Sequence, residues 1–178
     1  MDTIQLTEIK QGTPGITPVE GANLYENCIV ALHNSGHTVP VTLHVSGLNA
    51  CDYSLLWEDT FNDQLRRTYA DEQSVTERAA VAVSIMVALR QTDYTVIERS
   101  RKGTGFDYML GDGQDPLFTP KARLEVSGIM HEADGNTAEK RFRQKAEQTS
   151  KSDDTRLPAY VSIVEFSTPK VIFDIKKL

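Results

Sequence analysis

The chain has 178 residues, of which 39% are hydrophobic and 25% are charged, and its formal net charge is −6. This composition is typical of a soluble globular domain with a buried core. The net negative charge excludes a protein whose whole surface is basic and binds nucleic acid. Binding of nucleic acid therefore requires a local basic patch or a partner. No apolar run approaches the roughly 20 residues that span a bilayer, and the first ten residues lack a signal-peptide layout. We therefore expect a cytoplasmic protein without membrane contact.

The first 70 residues predict a β-rich extension that packs on the rest of the chain. Residues 1–27 mix Thr, Gly and Pro without periodicity, which is typical of an irregular lead-in. A hairpin is predicted over residues 28–46, because an apolar run precedes the turn signal Asn-Ser-Gly and strict alternation follows it. Residues 52–70 predict a strand that passes into a short helix.

Residues 71–178 predict the core of an α+β fold with a mixed sheet, and the two parts are expected to form one compact domain. The clearest helix covers residues 74–89, where Ser74 and Glu77 match a capping box and the following residues are apolar nearly all round. A polar helix is predicted over residues 137–151, with Phe142 and Ala146 as its inner contacts. Strands are predicted at residues 94–100, 106–110, 121–130, 159–166 and 170–175.

Two acids, Asp107 and Glu125, fall on neighbouring predicted strands. Alternation places Asp107 opposite to Phe106 and Tyr108, and it places Glu125 opposite to Leu124, so both acids can face away from the core together. Two carboxylates on adjacent strands form a site for a hard divalent cation. The alternative is a pair of solvated acids on the exposed face of an antiparallel sheet.

This order of elements, with one acid on the second strand of the core and one on the third, resembles the PD-(D/E)xK nuclease superfamily, which includes restriction endonucleases and Holliday-junction resolvases. The matching segments are GFDY at residues 105–108 and LEVS at residues 124–127. The resemblance implies a restriction-endonuclease-like α-β-β-β-α-β core in which Asp107 and Glu125 are catalytic and hold Mg²⁺ or Mn²⁺.

The sequence departs from the family pattern two residues after Glu125, where Ser127 stands in the place of a catalytic lysine. A hydroxyl supplies a hydrogen bond but no positive charge. Lys140 or Lys145 on the following helix is therefore expected to supply the catalytic charge, unless a partner does so. The resemblance also implies Glu77 as a further metal ligand, although its capping-box position explains it without any chemistry.

The resemblance implies Mg²⁺-dependent hydrolysis of phosphodiester bonds, either as an endonuclease or within a nucleic-acid-processing or defence complex. DNA is expected as the substrate in preference to RNA, and a protein partner or a second copy of the chain is expected as well. The basic side chains expected to contact phosphates are Arg99, Arg101, Lys102, Lys140, Arg141, Arg143 and Lys145. The helical charges among them also alternate in sign with acids, as on a solvated helix face.

Two alternatives belong to other classes of protein. One is a catalytically inactive binding or assembly protein that keeps the nuclease fold and acts through a protein partner; the net charge and Ser127 favour it. The other is an unrelated α+β protein in which the match is accidental. Convergence of Asp107, Glu125 and a lysine would favour the nuclease.

Overall fold

The computed structural model describes residues 1–176 as an α+β protein built on one eight-stranded mixed sheet. The strands are β1 (Asp2–Gln5), β2 (Val41–Gly47), β3 (Cys51–Leu56), β4 (Thr95–Arg99), β5 (Tyr108–Gly111), β6 (Pro120–Ile129), β7 (Ala159–Glu165) and β8 (Lys170–Ile175). The helices are α1 (Pro18–Asn34), α2 (Asp63–Thr68), α3 (Glu72–Gln91) and α4 (Ala138–Gln148), and two 3₁₀ helices cover Leu6–Gln11 and Thr149–Thr155. The sheet order is β1-β3-β2-β8-β7-β6-β5-β4. None of the helices within residues 1–176 is long and apolar enough to cross a bilayer.

The first 70 residues contain more helix than the sequence indicated. The predictions of an irregular lead-in and of a strand at residues 28–32 are wrong, because the 17-residue helix α1 occupies residues 18–34. Thr17 caps this helix by accepting the N–H of Glu20 at 3.2 Å, and Pro18 follows as its first residue, an arrangement that favours a helix start. The apolar run is the buried part of α1, which packs against α3.

The predicted hairpin over residues 28–46 is wrong as well, because β2 pairs with β3 and β8, and the first 70 residues contain more helix than strand. Two predictions for this region are confirmed. The alternating segment forms β2, and residues 52–70 contain β3 followed by α2. These strands belong to the same sheet as the rest of the chain, because β2 pairs with β3 on one side and with β8 on the other.

Helix α3 is the buried helix that the sequence predicted, but it begins earlier than the predicted capping box. Asp71 is the N-cap, and its Oδ1 accepts the backbone N–H of Ser74 at 2.7 Å. A carboxylate at this position satisfies a free N–H and is favoured by the helix dipole. Glu77 therefore lies within the helix and takes no part in its cap.

The strands of the second half are confirmed, and their connections determine which side chains meet. Strands β4, β5 and β6 form an antiparallel meander, and α4 then crosses over to β7, which runs parallel to β6. Alternation along β6 turns Gly128 towards α3 and Ser127 towards α4. Phe142 and Ala146 of α4 pack on a small apolar cluster on this second face, as predicted.

Substitution of Gly128 by alanine is expected to destabilise the protein by about 1–3 kcal/mol. A Cβ at this position would overlap the carbonyl of Thr76 and would lie 2.9 Å from its Cγ2 and 3.0 Å from the Cβ of Ala80. Helix α3 would have to move off the sheet. Urea unfolding of Gly128→Ala measures the loss. Gly113→Ala, in an exposed loop where the new Cβ meets only the Thr95 methyl group, serves as the control. Equal stability of the two variants would contradict the prediction.

Candidate functional site

The candidate site lies where β5 diverges from β6. Tyr108 and Leu124 are the last residues in register, and the N–H of Asp107 still donates to the Leu124 carbonyl at 2.9 Å. Beyond this point the backbone of β6 is bonded by the Asp107 side chain in place of a neighbouring strand. Asp107 Oδ2 accepts the backbone N–H of Val126 at 2.8 Å. The carboxylate of Asp107 is thereby held at the open edge of β6.

Glu125 lies beside Asp107 and is covered by α4, with only 1% of its surface exposed. Lys145 Nζ donates to Glu125 Oε1 at 2.7 Å, and Gln148 Nε2 donates to the same oxygen at 3.1 Å. Burial, aided by the charge of Asp107, raises the pKa of Glu125 from its usual value of 4.5 to about 7, although Lys145 acts in the opposite direction. The alternative of two solvated acids is therefore wrong for Glu125.

The two carboxylates fit a hard divalent cation. Within the part of the chain that the structure describes, Glu125 Oε2 is buried without a hydrogen-bond partner, and such an oxygen is costly unless a donor or a cation completes it. Asp107 is close enough to raise the pKa of Glu125, and a cation between the two acids would relieve this repulsion. Carboxylate oxygens are the protein ligands that Mg²⁺ and Mn²⁺ prefer.

Glu77 does not complete a three-carboxylate set. Among residues 1–176, no group of three or more His, Cys, Asp or Glu side chains is arranged to hold a metal ion. Glu77 is exposed on α3, where its Oε1 accepts a hydrogen bond from Gln73 at 3.2 Å. It lines the same groove as Asp107 but does not line the one that Glu125 reaches.

Two grooves flank Asp107, and Arg99 lines both of them. The first groove has a volume of about 340 Å³ and lies between α3 and α4. The second has a volume of about 550 Å³ and runs along the turn after β4. The cationic side chains of the first are Arg78, Arg99, Arg141 and Lys145, and those of the second are Arg99, Arg101, Lys102 and Lys151. Positive charge is thus concentrated on both sides of the acids in a chain of net charge −6.

The basic residues of α4 fall into two groups, those that line the grooves and those that do not. Arg141, Lys145 and Gln148 line the grooves because residues four and seven positions apart share a helix face. Lys140 and Arg143 are exposed and line neither groove. Of the two candidate lysines, the structure therefore brings Lys145 to the acids and leaves Lys140 away from them.

Three long polar side chains that line the grooves were not predicted from the sequence: Arg78, Gln148 and Lys151. Gln148 was detectable, because it follows Lys145 by three positions on a predicted helix. Arg78 adjoins Glu77 within the predicted helix, but nothing in the sequence pattern distinguished it from the other polar residues of that helix, and Lys151 lies beyond the end of α4. Comparisons with protein-family models, with curated proteins and with solved structures found no match to this chain.

Proposed function

We propose that the protein is a Mg²⁺-dependent nuclease with a restriction-endonuclease-like core formed by α3, β4, β5, β6, α4 and β7. The observation that carries this proposal is the 2.7 Å contact between Lys145 Nζ and Glu125 Oε1 beside Asp107. It assembles two acids and one lysine although Ser127 occupies the motif position. The ammonium group of Lys145 belongs to the helix that follows β6, and it contacts Glu125 on the face of the sheet that this helix covers.

Asp107 and Glu125 are the residues that would hold Mg²⁺ or Mn²⁺. When bound, such an ion lowers the pKa of a water and offsets charge on the phosphate. The N–H of Val126 orients the Asp107 carboxylate, while the covering helix keeps Glu125 out of bulk water. Acids that are already held in position lose little free energy to reorganisation during the reaction.

Lys145 supplies the positive charge of the proposed site. Its ammonium has three N–H donors, and two of them are directed to Glu125 Oε1 at 2.7 Å and Gln148 Oε1 at 3.4 Å. One donor remains for a phosphate oxygen in the first groove. A fixed ammonium at the reacting phosphate stabilises the negative charge that develops in the transition state.

The two grooves support a nucleic-acid substrate that crosses the acids, with phosphates bound on either side. DNA is the proposed substrate in preference to RNA. The cationic side chains of the two grooves lie around Asp107, so we propose that a protein partner or a second copy of the chain holds the more distant parts of a long substrate.

The test is calorimetric binding of Mg²⁺ and Mn²⁺, followed by cleavage assays on single- and double-stranded DNA and RNA. We expect Asp107→Asn to lose metal binding and cleavage together, because it removes a charged ligand and keeps the side-chain shape. Asp154→Asn, at an exposed aspartate away from the grooves, is the matched control and should behave as the wild type. Metal and nucleic-acid binding without cleavage would support the non-catalytic alternative. Absence of metal binding by the wild type would refute the proposal.

A further inference from the structure

Arg141 is held in the first groove by two neutral hydrogen-bond acceptors. Its Nη1 donates to Ser127 Oγ at 2.9 Å, and its Nη2 donates to Asn136 Oδ1 at 2.6 Å. No acidic side chain among residues 1–176 forms an ion pair with it, in contrast to the other groove arginine that is held in place, Arg78, whose Nη2 lies 2.8 Å from Glu20 Oε1. The charge of Arg141 is therefore fixed in position without being neutralised.

This arrangement leaves most of the binding capacity of Arg141 unused. A guanidinium carries five N–H donors in a rigid fork, and the two bonds to Ser127 and Asn136 occupy two of them. Half-burial of a cation without an opposing charge is unfavourable, and an anion in the groove would offset this cost. Phosphate suits the site because its oxygens accept two parallel N–H bonds from one guanidinium.

The location of Arg141 defines which phosphate it would meet. Asp107 and Lys145 line the same groove of about 340 Å³, so an anion bound to Arg141 would share this groove with one of the two acids. Lys145 already contacts Glu125, whereas Arg99 lines the groove, is exposed and forms no ion pair among residues 1–176. Of the four cations of this groove, Arg78 and Lys145 are paired with acids, and Arg141 and Arg99 are the two that form no ion pair within residues 1–176.

We infer that Arg141 binds a backbone phosphate of the nucleic acid adjacent to the bond that is cleaved, and that Ser127 and Asn136 are positioning residues that hold its guanidinium. The inference rests on the proposed function, since the phosphate belongs to that substrate. It gives Ser127 a role at the motif position: its hydroxyl fixes an arginine in the groove and takes no direct part in the reaction.

The experiment measures binding of a short fluorescein-labelled single-stranded oligodeoxynucleotide by fluorescence anisotropy, in EDTA and at several salt concentrations. Arg141→Gln is expected to weaken binding about tenfold or more and to reduce the slope of log K against log salt by about one. Arg143→Gln removes the same charge from the same helix, about 200° away around its axis, and is expected to bind as the wild type.

Two further variants, at Ser127, distinguish the effect of positioning the Arg141 guanidinium from the effect of its charge. Ser127→Ala keeps every charge, so we expect weaker binding with an unchanged salt slope, and Ser127→Thr should restore the affinity because it keeps the hydroxyl. Thermal unfolding of each variant confirms that it is folded. Equal behaviour of Arg141→Gln and Arg143→Gln, or no binding by the wild type, would overturn the inference.

The design distinguishes failure of the inference from failure of the proposed function, because no metal and no cleavage enter the measurement. Binding that depends on Arg141, in a protein that cleaves no substrate, would support the subsite and refute the nuclease. Cleavage by the wild type together with normal binding by Arg141→Gln would overturn the subsite alone.

Discussion

Replacement of Lys145 by methionine is expected to lower phosphodiester cleavage by about 10²–10³-fold while binding of Mg²⁺ persists. Methionine keeps the length and the helix propensity of lysine but removes the ammonium that contacts Glu125. Asp107 and Glu125 remain available to the metal, so we expect the substitution to lower the rate of the chemical step. Single-turnover cleavage at saturating Mg²⁺ measures the rate, and calorimetry measures the metal affinity.

Lys140→Met is the matched control for this prediction. It removes the same charge from the same helix, but Lys140 is exposed and lines neither groove. We expect its cleavage rate to equal that of the wild type. Equal rates for the two lysine variants would show that Lys145 does not take the place of the motif lysine.

Substitution of Glu125 by glutamine is expected to stabilise the metal-free protein at pH 8 by about 3–4 kcal/mol. Burial and the charge of Asp107 raise the pKa of Glu125 from 4.5 to about 7, and each pKa unit corresponds to about 1.4 kcal/mol. The folded state therefore binds this proton more tightly than the unfolded state does. Wild-type stability is lost as the pH rises from 4.5 through 7, whereas glutamine stays neutral and avoids this loss.

Urea unfolding in EDTA at pH 4.5 and pH 8 measures this difference. Glu147→Gln, at an exposed position of α4, is the control and should follow the wild-type pH dependence. Addition of Mg²⁺ at pH 8 is expected to reverse the order, because a ligand that binds only the folded wild type stabilises it by mass action. A Glu125→Gln variant with the wild-type pH dependence would contradict the assignment of the raised pKa.

Alternation of apolar and polar residues, together with turn signals, was sufficient to predict the strands in the second half of the chain. They predicted that Asp107 and Glu125 lie close together, and they identified Phe142 and Ala146 as the inner contacts of α4; the structure agrees on both points, although Asp107 lies just before β5 at the open edge of β6. A period of two residues in a strand is a strong local signal when one face is buried. The proximity of the two acids followed directly from this signal.

The sequence predicted the wrong element or the wrong helix start where two local signals competed. The run at residues 28–32 is too short to distinguish a strand from a buried helical segment by its apolar pattern, and the Gly and Pro residues around Thr17 obscured a helix start. Asp71 and Ser74 are both acceptable N-caps, and only packing of α3 decides between them. The burial of Glu125 was not predictable, because it depends on the crossover that brings α4 over this face of the sheet.

The position of β8 has a consequence for synthesis of the chain. This strand is the last that the structure describes, yet it lies inside the sheet between β7 and β2 and pairs Val171 with both Val164 and Val45. A nascent chain that lacks it contains two separate groups of strands with unpaired edges at β2 and β7. Such edges are templates for pairing with other chains. The interval before β8 leaves the ribosome is therefore the period in which this protein is most exposed to aggregation.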